Sequence, residues 1–190
     1  MIWPVILPAV KFLWLVLLAY WLFGALKAKP ARQRESTAAS LLRTALTVSV
    51  FLFLFSPVAR AGWLGARFIP RSGATSLSGL VLTAAGVALA IWSRYVLGQN
   101  WSAAVTLKHS HELIRKGPYA RIRHPIYSGV ILGLIGTALV IGEWRALLAV
   151  AALSLSWLVK ARKEEKLLAR EFGEAFEEHR AHTGMFWPRF

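Results

Sequence analysis

The sequence predicts an all-α integral membrane protein with five transmembrane helices, a tight hairpin between helices 4 and 5, and a C-terminal amphipathic helix. Three observations predict this class. Of the 190 residues, 56% are hydrophobic and only 17% are charged, whereas about a quarter of an ordinary soluble domain is charged. The net charge is nevertheless +14, as expected when basic residues mark the water boundary of a membrane protein. The apolar residues fall into five long segments.

Composition also excludes several classes of protein and of chemistry. A chain this rich in apolar residues is not disordered, because disordered chains contain few of them. The absence of cysteine excludes a disulfide scaffold, a thiolate metal site and a cysteine nucleophile. All nine acidic residues are glutamate, and six of them lie between Glu164 and Glu178. Chemistry that requires aspartate is therefore excluded as well.

The apolar segments set the expected spans, since a bilayer core about 30 Å thick requires roughly 20 mostly apolar residues in a helix. The five predicted spans cover about residues 2–26, 41–58, 76–97, 126–141 and 146–159. The first is too long, and lacks the preceding basic region, for a cleaved signal peptide. The last two are short, and only Gly142-Glu143-Trp144-Arg145 joins them. This joint predicts a tight antiparallel hairpin.

Basic residues concentrate in three regions that share one side of a five-span protein: the first loop, the third loop and the segment after the fifth span. They are Lys27, Lys29, Arg32, Arg34, Lys108, Arg115, Lys116, Arg121, Arg123, Lys160, Arg162 and Lys163. The positive-inside bias assigns this side to the cytoplasm. We expect a multi-pass protein of a bacterial or archaeal inner membrane. Anionic membrane lipids are the expected partners of these charges, and nucleic acid is not, because the charges are spread over three loops.

The polar chemistry predicts a functional division near Gly98. Residues 1–97 form three N-terminal transmembrane helices with few polar side chains, and residues 98–190 form a catalytic and cofactor-binding half. Arg94 is the exception in the first part, and we expect its side chain to reach toward the lipid headgroups. The second part holds nearly all the histidine and glutamate.

His124 and Pro125 predict the start of the fourth helix. Proline suits the first helical position, where its missing N–H costs nothing. His124 would then cap the helix, beside free backbone donors and the positive end of the helix dipole. Such a place suits an anion, for example a carboxylate.

The topology predicts which polar side chains meet this cap. The segment from Lys160 to about His182 is amphipathic. Glu164 and Glu165 lie about one turn beyond the fifth span. Because the hairpin is short, it brings that end close to the start of the fourth helix. We therefore expect both glutamates to lie beside His124 and Tyr127 at one cytoplasmic mouth.

A metal site is an alternative use of these side chains, since three histidines and a glutamate can bind Zn²⁺ or Fe²⁺. His109 and His111 are two residues apart, and His124 lies in a different local structure. No HExxH motif or similar helical pair occurs. We therefore expect no metal in the site.

Several motifs, taken in order, resemble the C-terminal half of the isoprenylcysteine carboxyl methyltransferases and the related phospholipid methyltransferases. They are Gly117-Pro118-Tyr119, Arg123-His124-Pro125-Ile126-Tyr127-Ser128-Gly129, Glu164-Glu165 and Glu171-Phe172-Gly173. The resemblance covers roughly residues 100–188. It implies a membrane-embedded methyltransferase that uses S-adenosylmethionine without a Rossmann domain and acts on a lipophilic or prenylated substrate.

The resemblance also implies the site residues. Those matching the cofactor-contacting positions are His111, Glu112, Leu113, Ile114, Tyr119, His124, Pro125, Ile126, Tyr127 and Glu164. His124 would hold the methionine carboxylate, and Glu164 the methionine ammonium or the ribose hydroxyls. Lys160 or Arg162 would orient an anionic acceptor. If the acceptor is an amine, a base is needed, and Glu165 is the candidate.

Two positions depart from the isoprenylcysteine enzymes and leave the acceptor open. Lys160 stands where those enzymes have an arginine, and Ala104 where they have a glutamine. Lysine lacks the two-pronged guanidinium that fits a carboxylate. Isoprenylcysteine carboxyl O-methylation is therefore the first expectation, and N- or O-methylation of a phospholipid or other small lipid is the alternative. An NADPH-dependent reductase is less expected, because reductases with this architecture are longer, and a protein that has lost catalysis is the last possibility.

Overall fold

The computed structural model describes residues 3–25, 31–34, 36–98, 106–108 and 113–189, and these form six α-helices and one small sheet. The helices are α1 (Trp3–Ala25), α2 (Thr37–Phe55), α3 (Gly73–Leu97), α4 (Pro125–Ile141), α5 (Trp144–Phe172) and α6 (Glu174–His182). The strands β1 (Ala31–Arg34) and β2 (Thr106–Lys108) pair in antiparallel orientation. Three-residue and four-residue 3₁₀ turns occupy Val58–Arg60, Gly62–Gly65 and Gly117–Ala120.

Each predicted span coincides with a helix. Within the described residues, α1, α2, α3 and α5 are long and apolar enough to cross a membrane, while α4 is apolar but has only 17 residues. The helix starts follow from their caps. Ser36 accepts a hydrogen bond from the Ala39 N–H, so α2 begins before its apolar stretch. Ser72 and Thr75 form a capping box at the start of α3.

The predicted end of the fifth helix is wrong. We expected that span to stop near Val159 and a separate amphipathic helix to run from Lys160 to His182. Instead α5 continues to Phe172, and only the short α6 follows it. The loss of apolarity at Lys160 marks a change of environment and does not break the backbone hydrogen bonds. The break comes at Gly173, whose φ of +52° favours glycine.

The described parts of the first and third loops and the end of α5 lie at one end of the bundle, as the charge pattern predicted. The pairing of β1 with β2 joins the first and third loops. The Tyr127 hydroxyl joins the start of α4 to Glu164 on α5. The opposite end holds the turn between α4 and α5, where the Arg67 guanidinium donates to the Ile141 carbonyl at 2.9 Å.

Helices α3 and α4 pack through glycine. A Cβ atom added to Gly86 would lie 2.3 Å from the backbone nitrogen of Gly133 and 2.4 Å from the Gly129 carbonyl oxygen. The Thr83 hydroxyl donates to the Gly133 carbonyl oxygen at 3.2 Å. Membrane helices usually approach closely where both carry small residues, and hydroxyl groups can then form hydrogen bonds between the helices. Helix α3 precedes residue 98 and α4 follows it, so the two predicted halves of the chain pack closely against each other.

In the turn before α5, the side chains of Glu143 and Arg145 are buried, whereas Trp144 is 45% exposed. Arg145 is 1% exposed, and its guanidinium donates to Glu143 Oε2 at 2.6 Å. It also donates to the carbonyl oxygens of Phe53 and Leu54, each at 2.8 Å. These carbonyls end α2 and have no partner within their own helix. Arg145 thereby fixes the end of α2 against the start of α5.

The expectation that Arg94 reaches toward the headgroups is also wrong. Its side chain is 5% exposed and turns inward. The guanidinium donates to the Gly98 carbonyl at 2.7 Å and to the Gly24 carbonyl of α1 at 3.0 Å. The end of α1 lies beside this arginine and offers better partners than the lipid surface. Arg94 therefore ties the ends of α1 and α3 together.

Candidate active site

His124 occupies the N-cap of α4, as predicted, and Pro125 follows at the first helical position. The histidine is 7% exposed. Its backbone N–H donates to the Met185 carbonyl at 3.0 Å, and its carbonyl accepts from the Ser128 N–H at 3.1 Å. The imidazole makes no capping hydrogen bond of its own. Backbone hydrogen bonds therefore hold His124 in place, and its imidazole does not cap its own helix.

Glu164 lies at the centre of the predicted cluster. The Tyr127 hydroxyl lies 2.9 Å from both of its carboxylate oxygens. His124 Nδ1 is 3.5 Å from Oε2, and Lys160 Nζ, one helical turn earlier, is 3.8 Å from Oε1. The Lys160 ammonium also lies 5.3 Å from the centre of the Tyr127 ring. The structure thus brings four of the predicted site residues together.

Glu165 faces a different partner. The Nε of Arg123 lies 2.7 Å from its Oε1, with both side chains about one-tenth exposed. His124 Nε2 is 3.4 Å from the same oxygen but does not form a hydrogen bond to it. Arg123 also donates to the carbonyl oxygen of Thr183. Sequence reasoning used Arg123 only as part of a motif and missed both its ion pair with Glu165 and its contact with Thr183. Nothing in the sequence indicates that Thr183 comes near.

Aromatic rings stack beside these charges. The His124 and Tyr127 rings are nearly parallel, with centres 5.5 Å apart, and Trp157 continues the stack 6.2 Å from Tyr127. Phe186 meets His124 edge-on at 6.1 Å. Neither Trp157 nor Phe186 was predicted. The four-residue spacing of Trp157 from Ala161 and Glu165 was the available signal, because those three residues follow one face of α5.

The segment after α6 covers this cluster. Gly184 pairs with the chain before α4, where the Arg123 N–H donates to the Gly184 carbonyl at 2.9 Å and the Gly184 N–H donates to the Arg121 carbonyl at 3.1 Å. The Ser128 hydroxyl donates to the Phe186 carbonyl at 2.6 Å. The cluster is thereby shielded on the side of the C-terminal segment.

Tyr119 lies in the 3₁₀ turn before the cluster and is 8% exposed. Burial raises the pKa of its phenol well above the usual value, and the nearby charge of Glu164 raises it further. The charge of Arg94 acts in the opposite direction and is outweighed. Tyr119 therefore keeps its hydroxyl proton at every physiological pH and can donate or accept a hydrogen bond.

The remaining predicted site residues fall into three groups. Pro125 and Ile126 are buried in the first turn of α4, and Leu113 and Ile114 are half-buried ahead of the Tyr119 turn. His111 and Glu112 lie outside the described residues, as does Ala104. Arg162 is exposed. Two residues beyond Lys160, it points to the far side of a helix with 3.6 residues per turn.

Two cavities flank the cluster. One of about 390 Å³ opens between α4, α5 and the C-terminal segment and is mainly apolar. Its lining residues are Ser128, Ile131, Ser154, Leu155, Leu158, Phe186 and Trp187. A second, more open cavity of about 570 Å³ lies beside Arg123, Arg180 and the segment after α6. Within the described ranges, no group of three or more His, Asp or Glu side chains is placed to hold a metal ion.

His179 makes the C-terminal segment sensitive to acid. Burial lowers the pKa of this imidazole, and the charges of Arg115 and Arg123 lower it further. The unfolded chain therefore binds more protons than the folded chain below the ordinary histidine pKa of about 6.5. The stability that neutral His179 provides is complete above that pH and is lost as the pH falls toward the lowered pKa.

We therefore expect a drop from about pH 7.5 to about pH 5.5 to lower the Tm of the wild-type chain more than that of His179→Gln. His182→Gln is the matched control, because His182 is an exposed histidine in the same helix. Melting curves of the three purified proteins in detergent test this. An equal loss of Tm in the wild type and His179→Gln would contradict the assignment.

Comparison with protein families gives a match over this part of the chain. The sequence model of the family described as phospholipid methyltransferase matches residues 74–175, which is 102 of the 190 residues. The matched region includes α3, α4, and the part of α5 that carries both glutamates. The resemblance expected from the motifs is therefore confirmed.

Curated relatives match part of the chain. The cobalt-zinc-cadmium resistance protein CzcN of Cupriavidus metallidurans is 35% identical over 120 residues, which cover 60% of this chain and 52% of that protein. The protein-S-isoprenylcysteine O-methyltransferase of Schizosaccharomyces pombe is 33% identical over 86 residues, covering 44% of this chain and 36% of that protein. This chain thus spans about half or less of the length of these relatives.

A solved structure has a similar fold. It is the eukaryotic intramembrane Ras methyltransferase ICMT, an isoprenylcysteine carboxyl methyltransferase, which aligns with a TM-score of 0.51 at 24% identity. The alignment covers 81% of this chain and 53% of that one. Its fold and the four long apolar helices support an integral membrane protein. Because the family model matches more than half of the chain, the chain belongs to the phospholipid methyltransferase family.

Proposed function

We propose that this chain is an integral membrane methyltransferase that transfers the methyl group of S-adenosylmethionine to a lipophilic acceptor. The observation that carries the proposal is the meeting of His124, Tyr127, Lys160 and Glu164 at one end of the bundle. All four lie within the region that matches the phospholipid methyltransferase family. Relatives named as O-methyltransferases share part of that region.

The polar groups of the cluster fit S-adenosylmethionine. His124 Nε2 is buried and makes no hydrogen bond to any described residue, so it can bind an added polar group such as the methionine carboxylate. The Glu164 side chain is 20% exposed and can accept hydrogen bonds from the methionine ammonium or the ribose hydroxyls. Tyr119 keeps its hydroxyl proton close by. This set offers a partner for each polar part of the cofactor's amino acid.

When bound, S-adenosylmethionine supplies an electrophilic methyl group on sulfur. The residues of this chain then act mainly by binding and orientation, and such alignment contributes several kcal/mol in favourable cases (up to about 7–11). Tyr127 holds Glu164 by its hydroxyl and stacks on Trp157, so the carboxylate is fixed in place. Lys160 stands beside both and orients the acceptor.

We assign Glu165 a positioning role in place of the base role that an amine acceptor would require. Its carboxylate is engaged by Arg123, and that pair ties the chain before α4 to Thr183. A base must be able to reach the proton that it removes. Glu165 instead holds His124 and the C-terminal segment in place relative to each other.

The acceptor would enter from the membrane. The apolar cavity between α4 and α5 reaches Ser128 and Phe186, and Phe186 contacts the His124 ring. An apolar chain lying there would direct its polar end toward the cluster. We further propose that α4 also crosses the membrane, which makes five spans in all, and that the cluster faces the cytoplasm of a bacterial or archaeal cell, as the basic loops indicate.

Isoprenylcysteine-like carboxyl O-methylation is our first choice of reaction, because relatives that match part of this chain carry that name. Methylation of a phospholipid is the second, because the family model carries that description. To test the function, cells that express the wild-type chain or Glu164→Ala are grown with methyl-labelled methionine, and their lipids are compared by mass spectrometry. We expect a labelled lipid, heavier by one CH₂ unit, with the wild type alone. Identical lipid profiles would contradict the proposal.

A further inference from the structure

The open cavity of about 570 Å³ beside the C-terminal segment has no part in the proposed reaction. None of the four side chains that meet around Glu164 lines it. The charged residues in its wall are Arg123, Glu177, Arg180 and Arg189. Three guanidinium groups and a single carboxylate therefore line one cavity, and its charge favours an anionic occupant.

The three arginines differ in how fully their charges are matched. Arg123 is largely buried and lies 2.7 Å from Glu165, so its charge is neutralised within the protein. Arg180 lies 3.4 Å from Glu177, but both side chains are 54% exposed, and an exposed pair of this kind contributes little. Arg189 is exposed and forms no ion pair with any residue that the structure describes. Arg180 and Arg189 can therefore both take an added anion.

A tight reversal of the chain at Gly184 brings these arginines to one place. The Arg123 guanidinium donates to the Arg180 carbonyl at 3.3 Å, which joins the chain before α4 to the end of α6. A Cβ atom added to Gly184 would collide with the Trp187 carbonyl oxygen and would lie 3.5 Å from the backbone nitrogen of Arg189. The last described residues thus fold back over Gly184 and carry Arg189 to the cavity.

Trp187 places the cavity at the level of the lipid headgroups. Its side chain is 59% exposed and lines this basic cavity as well as the apolar cavity between α4 and α5. Tryptophan is enriched where a membrane protein passes from hydrocarbon to water. The two cavities therefore meet at that boundary, with apolar walls on one side of Trp187 and guanidinium groups on the other.

We propose that the basic cavity binds the phosphate of an anionic membrane phospholipid, with Arg180 and Arg189 as its cations. The lipid is an accessory ligand and not the methyl acceptor, because the cluster around Glu164 does not line the cavity. Guanidinium groups suit phosphate oxygens, which they can bind in pairs. The inference does not depend on the proposed function. Neither arginine belongs to the three basic regions that the charge pattern singled out.

The test measures binding to the purified full chain in neutral detergent by isothermal titration at physiological ionic strength, where long-range attraction between exposed charges is screened. The ligands are dihexanoyl phosphatidylglycerol, dihexanoyl phosphatidylcholine and inorganic phosphate. The double variant Arg180→Gln/Arg189→Gln removes the proposed cations. Its matched control is Lys166→Gln/Arg170→Gln, which removes the same charge from exposed positions on α5. Melting curves check that each variant is folded.

A second pair of variants predicts a change in the opposite direction. Glu177→Gln removes the carboxylate that competes for Arg180, so it should bind phosphatidylglycerol more tightly than the wild type. Glu174→Gln is the control, because Glu174 is exposed on the same helix and does not line the cavity. It should bind like the wild type.

We expect the wild type to bind phosphatidylglycerol saturably and about tenfold or more tightly than phosphatidylcholine, equivalent to about 1.4 kcal/mol. The Arg180/Arg189 double variant should lose most of this preference, and the Lys166/Arg170 control should keep it. The inference is overturned if the wild type shows no preference, if both double variants lose it equally, or if Glu177→Gln binds no more tightly than Glu174→Gln. Inorganic phosphate bound as tightly as phosphatidylglycerol would show a site for free phosphate and contradict the assignment to a lipid.

Discussion

Replacing His124 or Glu164 by alanine should weaken the binding of S-adenosylmethionine by about tenfold or more, while the chain stays folded. Each change removes a polar group that we propose contacts the methionine part of the cofactor. A hydrogen bond to a charged group contributes about 1.5–3 kcal/mol, and about 1.4 kcal/mol corresponds to a tenfold change in affinity. Isothermal titration of the purified variants measures the effect directly.

Matched controls separate binding from folding. His182→Ala and Glu174→Ala remove the same side chains from exposed positions on α6, and both should bind like the wild type. Tyr127→Phe removes only the hydroxyl that holds Glu164, so its loss of affinity should be smaller than that of Glu164→Ala. If His124→Ala and Glu164→Ala bind as tightly as their controls while their melting curves are normal, the assignment of the site is wrong.

Replacing Gly86 by leucine should cause the largest loss of stability. Even the Cβ atom would lie within 2.4 Å of backbone atoms of Gly129 and Gly133. Backbone cannot move aside as a flexible side chain can, so α3 and α4 must separate. Overpacking usually costs about 1–3 kcal/mol and occasionally more, and we expect this variant at or above the upper limit.

Ala85→Leu is the control for that change, because it adds a similar volume at the adjacent exposed position of α3. Thermal unfolding followed by size-exclusion chromatography in detergent compares the two. Gly86→Leu should melt far below the wild type or fail to accumulate, and Ala85→Leu should melt near it. Equal melting of both variants would show that the glycine contact does not hold α3 and α4 together.

The helices were predictable because a long apolar stretch determines a membrane helix locally. The end of α5 was not, since apolarity ends near Val159 while the helix continues to Phe172. Polar residues continue a helix as readily as apolar ones, and only a residue that breaks the hydrogen-bond pattern ends it. The burial of Glu143 and Arg145 was not predictable either, because it depends on how α2 packs against the start of α5.

The core of the site was predictable because the short hairpin fixes the end of α5 against the start of α4. That argument places His124 beside Glu164, and the structure agrees. It cannot give the rotation of one helix about its axis relative to another. The stacking of Trp157 on Tyr127 depends on that rotation. The contact of Arg123 with Thr183 depends on a chain reversal after α6 that no motif indicates.

The central claim is that the cluster around His124 and Glu164 binds S-adenosylmethionine. Titrating the purified full chain in nanodiscs with labelled S-adenosylmethionine, and separately with NADPH, tests it most directly. We predict saturable binding of S-adenosylmethionine that Glu164→Ala weakens, and no saturable binding of NADPH. Saturable binding of NADPH, or of neither compound, would contradict the account.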